Sequence, residues 1–300
     1  MFTESQTTLR IVDTSAVPRP VDDWGMEFPP LPKTLGEVTR LIAESEDVPD
    51  TPKLARIVRA DPIVAAAVLK RINSSYYGLR RPVDDIRKAV FLLGFSEVCN
   101  IVISTGMLKM KDILKTPRQL DFFDRLVEMS LGTAYYANDL GQHLKLPLRA
   151  VSFTAGMLHN IGRLVLLYNR PDAYGDLWQE RVHGEPPSAE LERGIFGFDH
   201  QDVSRYALQR WRMSHELTES VGHYLDPSKA DGMFEQVLAW SLRAASAHTE
   251  AILYDLPPSE GPYKGLTVLS HFTEDETPES LMERMRDSAD RVKEYIDAMK

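Results

Sequence analysis

Apolar side chains recur along this chain at spacings of three and four, and nowhere do they alternate with polar ones over a strand-length run. That period lines one face of a helix with apolar groups and gives a sheet nothing to pack on, so an all-α fold is expected. The first clear stripe runs through Leu35, Val38, Leu41 and Ile42, behind the stiff lead-in Phe28-Pro29-Pro30-Leu31-Pro32. Asp50-Thr51-Pro52 and Asp61-Pro62 each place a carboxylate where a helix leaves amides unpaired, with a proline at a position that needs no donor.

The pattern continues with few ambiguities. The helix from Ile63 to Asn73 carries small Ala65, Ala66 and Ala67, which permit close packing. Asp84 or Asp85 caps the next one, Ile86 to Leu93, and Gly94 closes it. Ser96 begins another, with Val98, Ile101, Val102 and Met107 on its apolar face, and a long stretch follows from Arg118 to Gly141. Leu148 to Tyr168 is the most apolar segment and is expected to run as one central helix. Further helices are expected over 187–196, 200–211, 214–225 and 230–253. The last segment, Pro278 to Met299, aligns Leu281, Met285, Val292, Ile296 and Met299; it is expected to fold back on the core, with a dimer or partner helix as the alternative.

At 300 residues, 43% hydrophobic and 26% charged, the chain has material for one large domain or two modest ones. Residues 1–27 read as an arm or linker, 28–255 as the main domain with halves 28–115 and 116–255, and 256–300 as a loop and amphipathic helix. A net charge of −9 disfavours nonspecific binding to nucleic acid or anionic membranes. Cys99 is the only cysteine, which excludes an intrachain disulfide and a thiolate zinc cluster. The N-terminal residues lack the basic and apolar regions of a signal peptide, so a cytoplasmic location is expected.

Chemistry concentrates at His159-Asn160, inside the apolar segment 148–168. An imidazole followed by a carboxylate would suit a divalent metal, but Asn160 has the shape of aspartate without its charge. A buried neutral pair, hydrogen-bonded within the core, is the expectation. Gly-rich phosphate loops and Gly-x-Ser-x-Gly are absent, Cys99 has no activating neighbour in sequence, and Glu190 with Glu192 reads as a solvated helix face. His200 reads as a helix-start contact.

Several phrases together resemble the HDOD domain, the HD-related output domain. They are Leu31-Pro32, Leu54-Ala55-Arg56-Ile57-Val58, Asp61-Pro62-Ile63-Val64-Ala65, Leu69 to Ser74, and Val83 to Gly94. Ala155 to Gly162, Phe196-Gly197-Phe198-Asp199-His200 and Trp211 complete the order. The resemblance covers about residues 28–250 and implies a helical N-terminal part packed on a degenerate part like the HD phosphohydrolases. It also implies a bacterial, non-catalytic module of signalling and regulation. The related HD enzymes hold metal with an upstream His, a His-Asp pair and a downstream Asp. Here residues 1–142 contain no histidine, the upstream helix reads Val127-Glu128-Met129-Ser130, and the downstream one reads Arg243-Ala244-Ala245-Ser246-Ala247. His143 is the nearest upstream candidate, and His223-Tyr224 stands where the family often has two histidines. Neither a catalytic residue nor a metal or other cofactor is therefore expected, and His159 and Asn160 are vestigial positions.

Between Lys53 and Lys88 nine basic residues face three acidic ones, a reversal of the overall charge. Arg71, Tyr76, Tyr77, Arg80, Arg81, Arg87 and Lys88 form the candidate surface there, for an acidic signalling protein or a phosphate-bearing ligand such as a nucleotide. The alternative is an ordinary solvated helix face. Two rival functions stand beside a partner-binding module: a divergent metal-dependent phosphohydrolase or cyclic-nucleotide phosphodiesterase, and a nucleotide sensor without turnover. Partner identity and oligomeric state stay open.

Overall fold

The computed structural model describes residues 24–44, 49–143, 149–256, 260–273 and 276–299, and among them there is no strand. Among the described residues, five α-helices make the N-terminal part. α1 (Lys33–Glu44) buries the anticipated Leu35, Val38, Leu41 and Ile42. α2 (Thr51–Ala60) begins at Asp50, whose carboxylate accepts the Lys53 amide at 2.8 Å. α3 (Pro62–Ile72) begins at Asp61, which accepts the amides of Ile63 at 3.1 Å and Val64 at 3.3 Å. α4 (Ile86–Leu93) is capped by Asp85, which accepts from the Lys88 amide, and Gly94 at φ 84° turns the chain into α5 (Phe95–Lys109). Asp61 also accepts the Thr34 hydroxyl at 2.7 Å and the Lys109 ammonium, so one carboxylate ties α1, α3 and α5 together.

The second part starts with the long α6 (Pro117–His143), followed by α7 (Arg149–Leu158), α8 (Ile161–Asn169) and α9 (Pro171–Gln179). Then come α10 (Ala189–Phe196), α11 (His200–Arg210), α12 (His215–Gly222) and α13 (Met233–Leu253). α6 packs on α7 and α13, α8 on α11, and α5 bridges the two parts by touching α1, α3 and α7. α14 (Glu260–Ser270) lies on α13, α15 (Pro278–Asp287) on α14, and α16 (Ala289–Met299) on α6. The C-terminal stripe thus folds back, burying Leu281, Met285, Val292 and Ile296, though as two helices instead of one. No single helix among the described residues is long and apolar enough to cross a membrane.

Two expectations need correction. Trp24, assigned to the arm, is buried and stacks on Phe198 with ring centroids 4.4 Å apart, so the packed structure begins before Phe28. The segment 148–168 is also not one helix: it breaks at His159-Asn160. The Ser204 hydroxyl, from α11, donates to the His159 carbonyl at 3.4 Å and accepts the Gly162 amide at 2.9 Å. A side chain from another helix supplies both partners at the break, which is a recognised cause of helix interruption.

Candidate functional site

The break puts His159 and Asn160 at the centre of the second part, both fully buried. His159 Nδ1 lies 2.6 Å from the Gly156 carbonyl. A carbonyl can only accept, so Nδ1 carries the proton and Nε2 presents a lone pair. That lone pair faces the Ser246 hydroxyl of α13 at 3.4 Å, and the Tyr224 ring packs edge-on at 5.5 Å. Burial, above all, holds the imidazole neutral, pulling its pKa from 6.5 to about 3. Neither atom of the Asn160 amide has a hydrogen-bond partner among the described residues, so the anticipated His-Asn pair does not form as a hydrogen-bonded unit.

The sign of the His159 shift fixes a pH effect. The unfolded chain takes up a proton near pH 6.5 and the folded one only near pH 3, so this residue's contribution to stability falls as the pH drops through that window. In urea titrations of the full chain, His159→Gln should reduce the slope of stability against pH between 6.5 and 4. The reduction should approach one proton, about 1.4 kcal/mol per pH unit. An unchanged slope would reject a neutral buried His159.

Beside this pair lies a polar network that the sequence hid. Glu192, read as a solvated residue, is fully buried. It accepts the Tyr174 hydroxyl at 2.8 Å, the His200 amide at 2.7 Å and His200 Nδ1 at 2.6 Å. His200 Nε2 in turn meets the Tyr224 hydroxyl at 2.9 Å and Arg163 Nη2 at 3.3 Å. His200 does start α11, as anticipated, but its ring is the middle of this chain of bonds. Burial would push the Glu192 carboxyl up; the imidazole and amide of His200, with the Arg163 charge, outweigh it and hold the carboxyl below its usual range. Arg163, 4% exposed, also donates to the Pro187 carbonyl at 2.9 Å. A single guanidinium within the apolar run 161–167 was the available sequence signal for it.

These donors do not suit a hard divalent cation. The one free imidazole lone pair at the His159 position faces a hydroxyl and neighbours a carboxamide, where such a cation requires carboxylates. Among the described residues no three His, Cys, Asp or Glu side chains gather in a metal-binding group. The His143 side chain lies outside the described residues.

The second candidate surface lies on the N-terminal part. Asn73 clips its loop shut by accepting the Val83 amide at 2.7 Å and donating to the Val83 carbonyl at 2.8 Å. Arg71 is turned inward: it pairs with Glu97 at 2.9 Å and stands over the Tyr76 and Tyr77 rings at 5.4 and 5.6 Å. Tyr77 is half-buried, whereas Arg80, Arg81, Arg87 and Lys88 are exposed. The anticipated Tyr76 is 79% exposed, and the face also carries Phe91, 81% exposed, with the exposed Leu79 and Leu92, an apolar component that the basic residues concealed in sequence.

A family model described as the HDOD domain matches residues 28–227. The fold is similar to that of an HDOD domain protein of unknown function from Geobacter sulfurreducens, with a TM-score of 0.75 at 17% identity over 92% of this chain and 95% of that one. It is similar also to a protein from Shewanella amazonensis SB2B provisionally named a phosphohydrolase, with a TM-score of 0.63 at 20% identity over 91% and 95%. A third, from Marinobacter aquaeolei VT8 and provisionally named a signal transduction protein, gives 0.64 at 22% over 93% and 60%. At such identities the likeness is one of fold. An uncharacterized protein of Treponema pallidum is 24% identical over 196 residues, which are 65% of this chain; the chain covers 37% of that relative's length.

Proposed function

Because the chain belongs to the HDOD domain family, we propose that it is a regulatory module of signal transduction that acts by binding a protein partner and catalyses no reaction. The observation that carries the non-catalytic reading is the direction of His159 Nε2, which faces the Ser246 hydroxyl while Asn160 supplies no charge. The likeness to a provisionally named signal transduction protein agrees with a regulatory role. The likeness to a provisionally named phosphohydrolase favours the rival, and against that rival stands the donor set just described.

The partner surface is the exposed face of Tyr76, Leu79, Arg80, Arg81, Arg87, Lys88, Phe91 and Leu92. Aromatic and aliphatic anchors among basic side chains fit an acidic amphipathic protein segment, with apolar contact giving affinity and charge giving approach rate. The setting is the cytoplasm. The reading is tested with the purified protein. It predicts no stoichiometric iron, manganese or zinc and no turnover of phosphodiester substrates. It also predicts that Arg80→Glu with Arg81→Glu weakens capture of the acidic partner from the native cell. Bound metal that a chelator removes together with phosphodiesterase activity would overturn the reading.

A further inference from the structure

A cavity of about 530 Å³ opens between residues 185–190, which lead into α10, Tyr224-Leu225 and one face of α13. Its volume falls within the range of pockets that hold small organic molecules, about 300–1,000 Å³. Pro186, Pro187, Ala247, Ala251 and Leu256 give it apolar wall, and Arg163, Arg181, Arg243 and Glu250 give it charge.

Each guanidinium is pinned by one side and left with donors to spare. Arg163 is held by the Pro187 carbonyl and His200, Arg181 by Glu185 at 2.6 Å, and Arg243 by the Leu225 carbonyl. Arg163 Nε and Arg181 Nε are buried with no acceptor among the described residues. An unsatisfied buried donor costs about 1–3 kcal/mol, more when charged, so these groups call for an acceptor from outside the protein. Glu250 also lines the cavity, and its backbone carbonyl is taken by the Tyr254 amide at 3.0 Å, which leaves the carboxyl as the group it can offer a ligand. Burial pushes its carboxyl above the usual range even though the Arg163 charge pulls it down. It stands as a second polar pole, a hydrogen-bonding partner for a donor.

We propose that this cavity binds a small organic oxyanion that also carries an N–H donor, the acid group lying against Arg163, Arg181 and Arg243 and the donor against Glu250. Guanidinium groups present planar pairs of N–H bonds that fit phosphate and carboxylate alike, so both sources share one recognition chemistry. Tyr224, whose hydroxyl is committed to His200, forms the floor through which occupancy reaches the buried network of Glu192 and Arg163.

The test is thermal unfolding of the full chain titrated with AMP for the phosphate source and glutamate for the carboxylate source. Pyrophosphate and citrate serve as anions without the donor. A saturable rise in Tm is expected with AMP or glutamate, larger than with its bare counterpart, because only a ligand of the folded state stabilises it. Arg243→Met should weaken that binding at least about tenfold, the loss of a charged hydrogen bond. Ala247→Phe should do the same by filling the cavity from another wall. Arg56→Met, in a separate surface cavity, should leave binding unchanged. Absence of a saturable shift with both AMP and glutamate, or a shift undiminished in both cavity variants, would overturn the site. Phosphate released from AMP would instead defeat the non-catalytic reading while leaving the site in place.

Discussion

Gly162→Ala should destabilise the second part of this protein strongly. Gly162 opens α8 where α11 crosses it, and a β-carbon there would strike the His200 carbonyl oxygen. It would also lie 2.7 Å from the Ser204 hydroxyl and 2.8 Å from the Ser204 amide. Two of those three atoms are backbone, so no rotamer change makes room; the helices must separate. Separation breaks the Ser204 bridge to the His159 carbonyl and the Gly162 amide. Overpacking of this kind costs about 3 kcal/mol or more, a large share of the 5–15 kcal/mol typical of a domain. Urea denaturation should show Cm lowered by on the order of 1 M. The control is Gly194→Ala in α10, where a β-carbon meets nothing within 4 Å. There the substitution should stabilise by up to about 1 kcal/mol through helix propensity. If the two variants melt alike, the close approach of α8 and α11 is wrong.

Glu192→Ala is the second large effect. Its carboxylate accepts three hydrogen bonds inside the protein and balances the buried Arg163 charge. Removal strands the Tyr174 hydroxyl and the His200 ring and amide, and leaves Arg163 without its counter-charge. Breaking a buried charge pair by deleting one partner costs about 3–5 kcal/mol. The double variant Glu192→Leu, Arg163→Met should recover much of that loss, because two well-packed apolar groups replace the pair without an orphaned charge. In the cycle closed by the single variants Glu192→Leu and Arg163→Met, additive losses would reject coupling between Glu192 and Arg163. The carboxyl's pKa is lowered in the folded state, so its contribution is complete above the unfolded value of 4.5 and is lost as the pH falls through the folded value. It adds to the acid sensitivity that His159 brings at higher pH.

Most helix starts were legible because their causes are local. Asp50, Asp61 and Asp85 each cap with amides two or three residues on, and Gly94 closes α4 by its own backbone conformation. The choice between Asp84 and Asp85 was not legible, since either stands before the same apolar run. The partners of His159 were hidden for a different reason: Ser246 and Ser204 lie 87 and 45 residues away in sequence. On the basic surface, Arg71 and Arg80 look equivalent in sequence, yet one is paired with Glu97 and the other faces solvent.

His159-Asn160 itself illustrates the division. By itself the sequence determined that the chain is helical, where most helices begin, and that a histidine followed by a carboxamide sits in its most apolar segment. These follow from periodicity, caps and residue identity, all properties of neighbouring residues. Only the tertiary structure decided that the pair interrupts a helix, that its imidazole faces a serine, and that Glu192 is buried while Glu190 is exposed. Those two glutamates sit about 200° apart around one helix. Which of them meets Tyr174, His200 and the Arg163 charge is set by how α10 packs against elements distant in sequence.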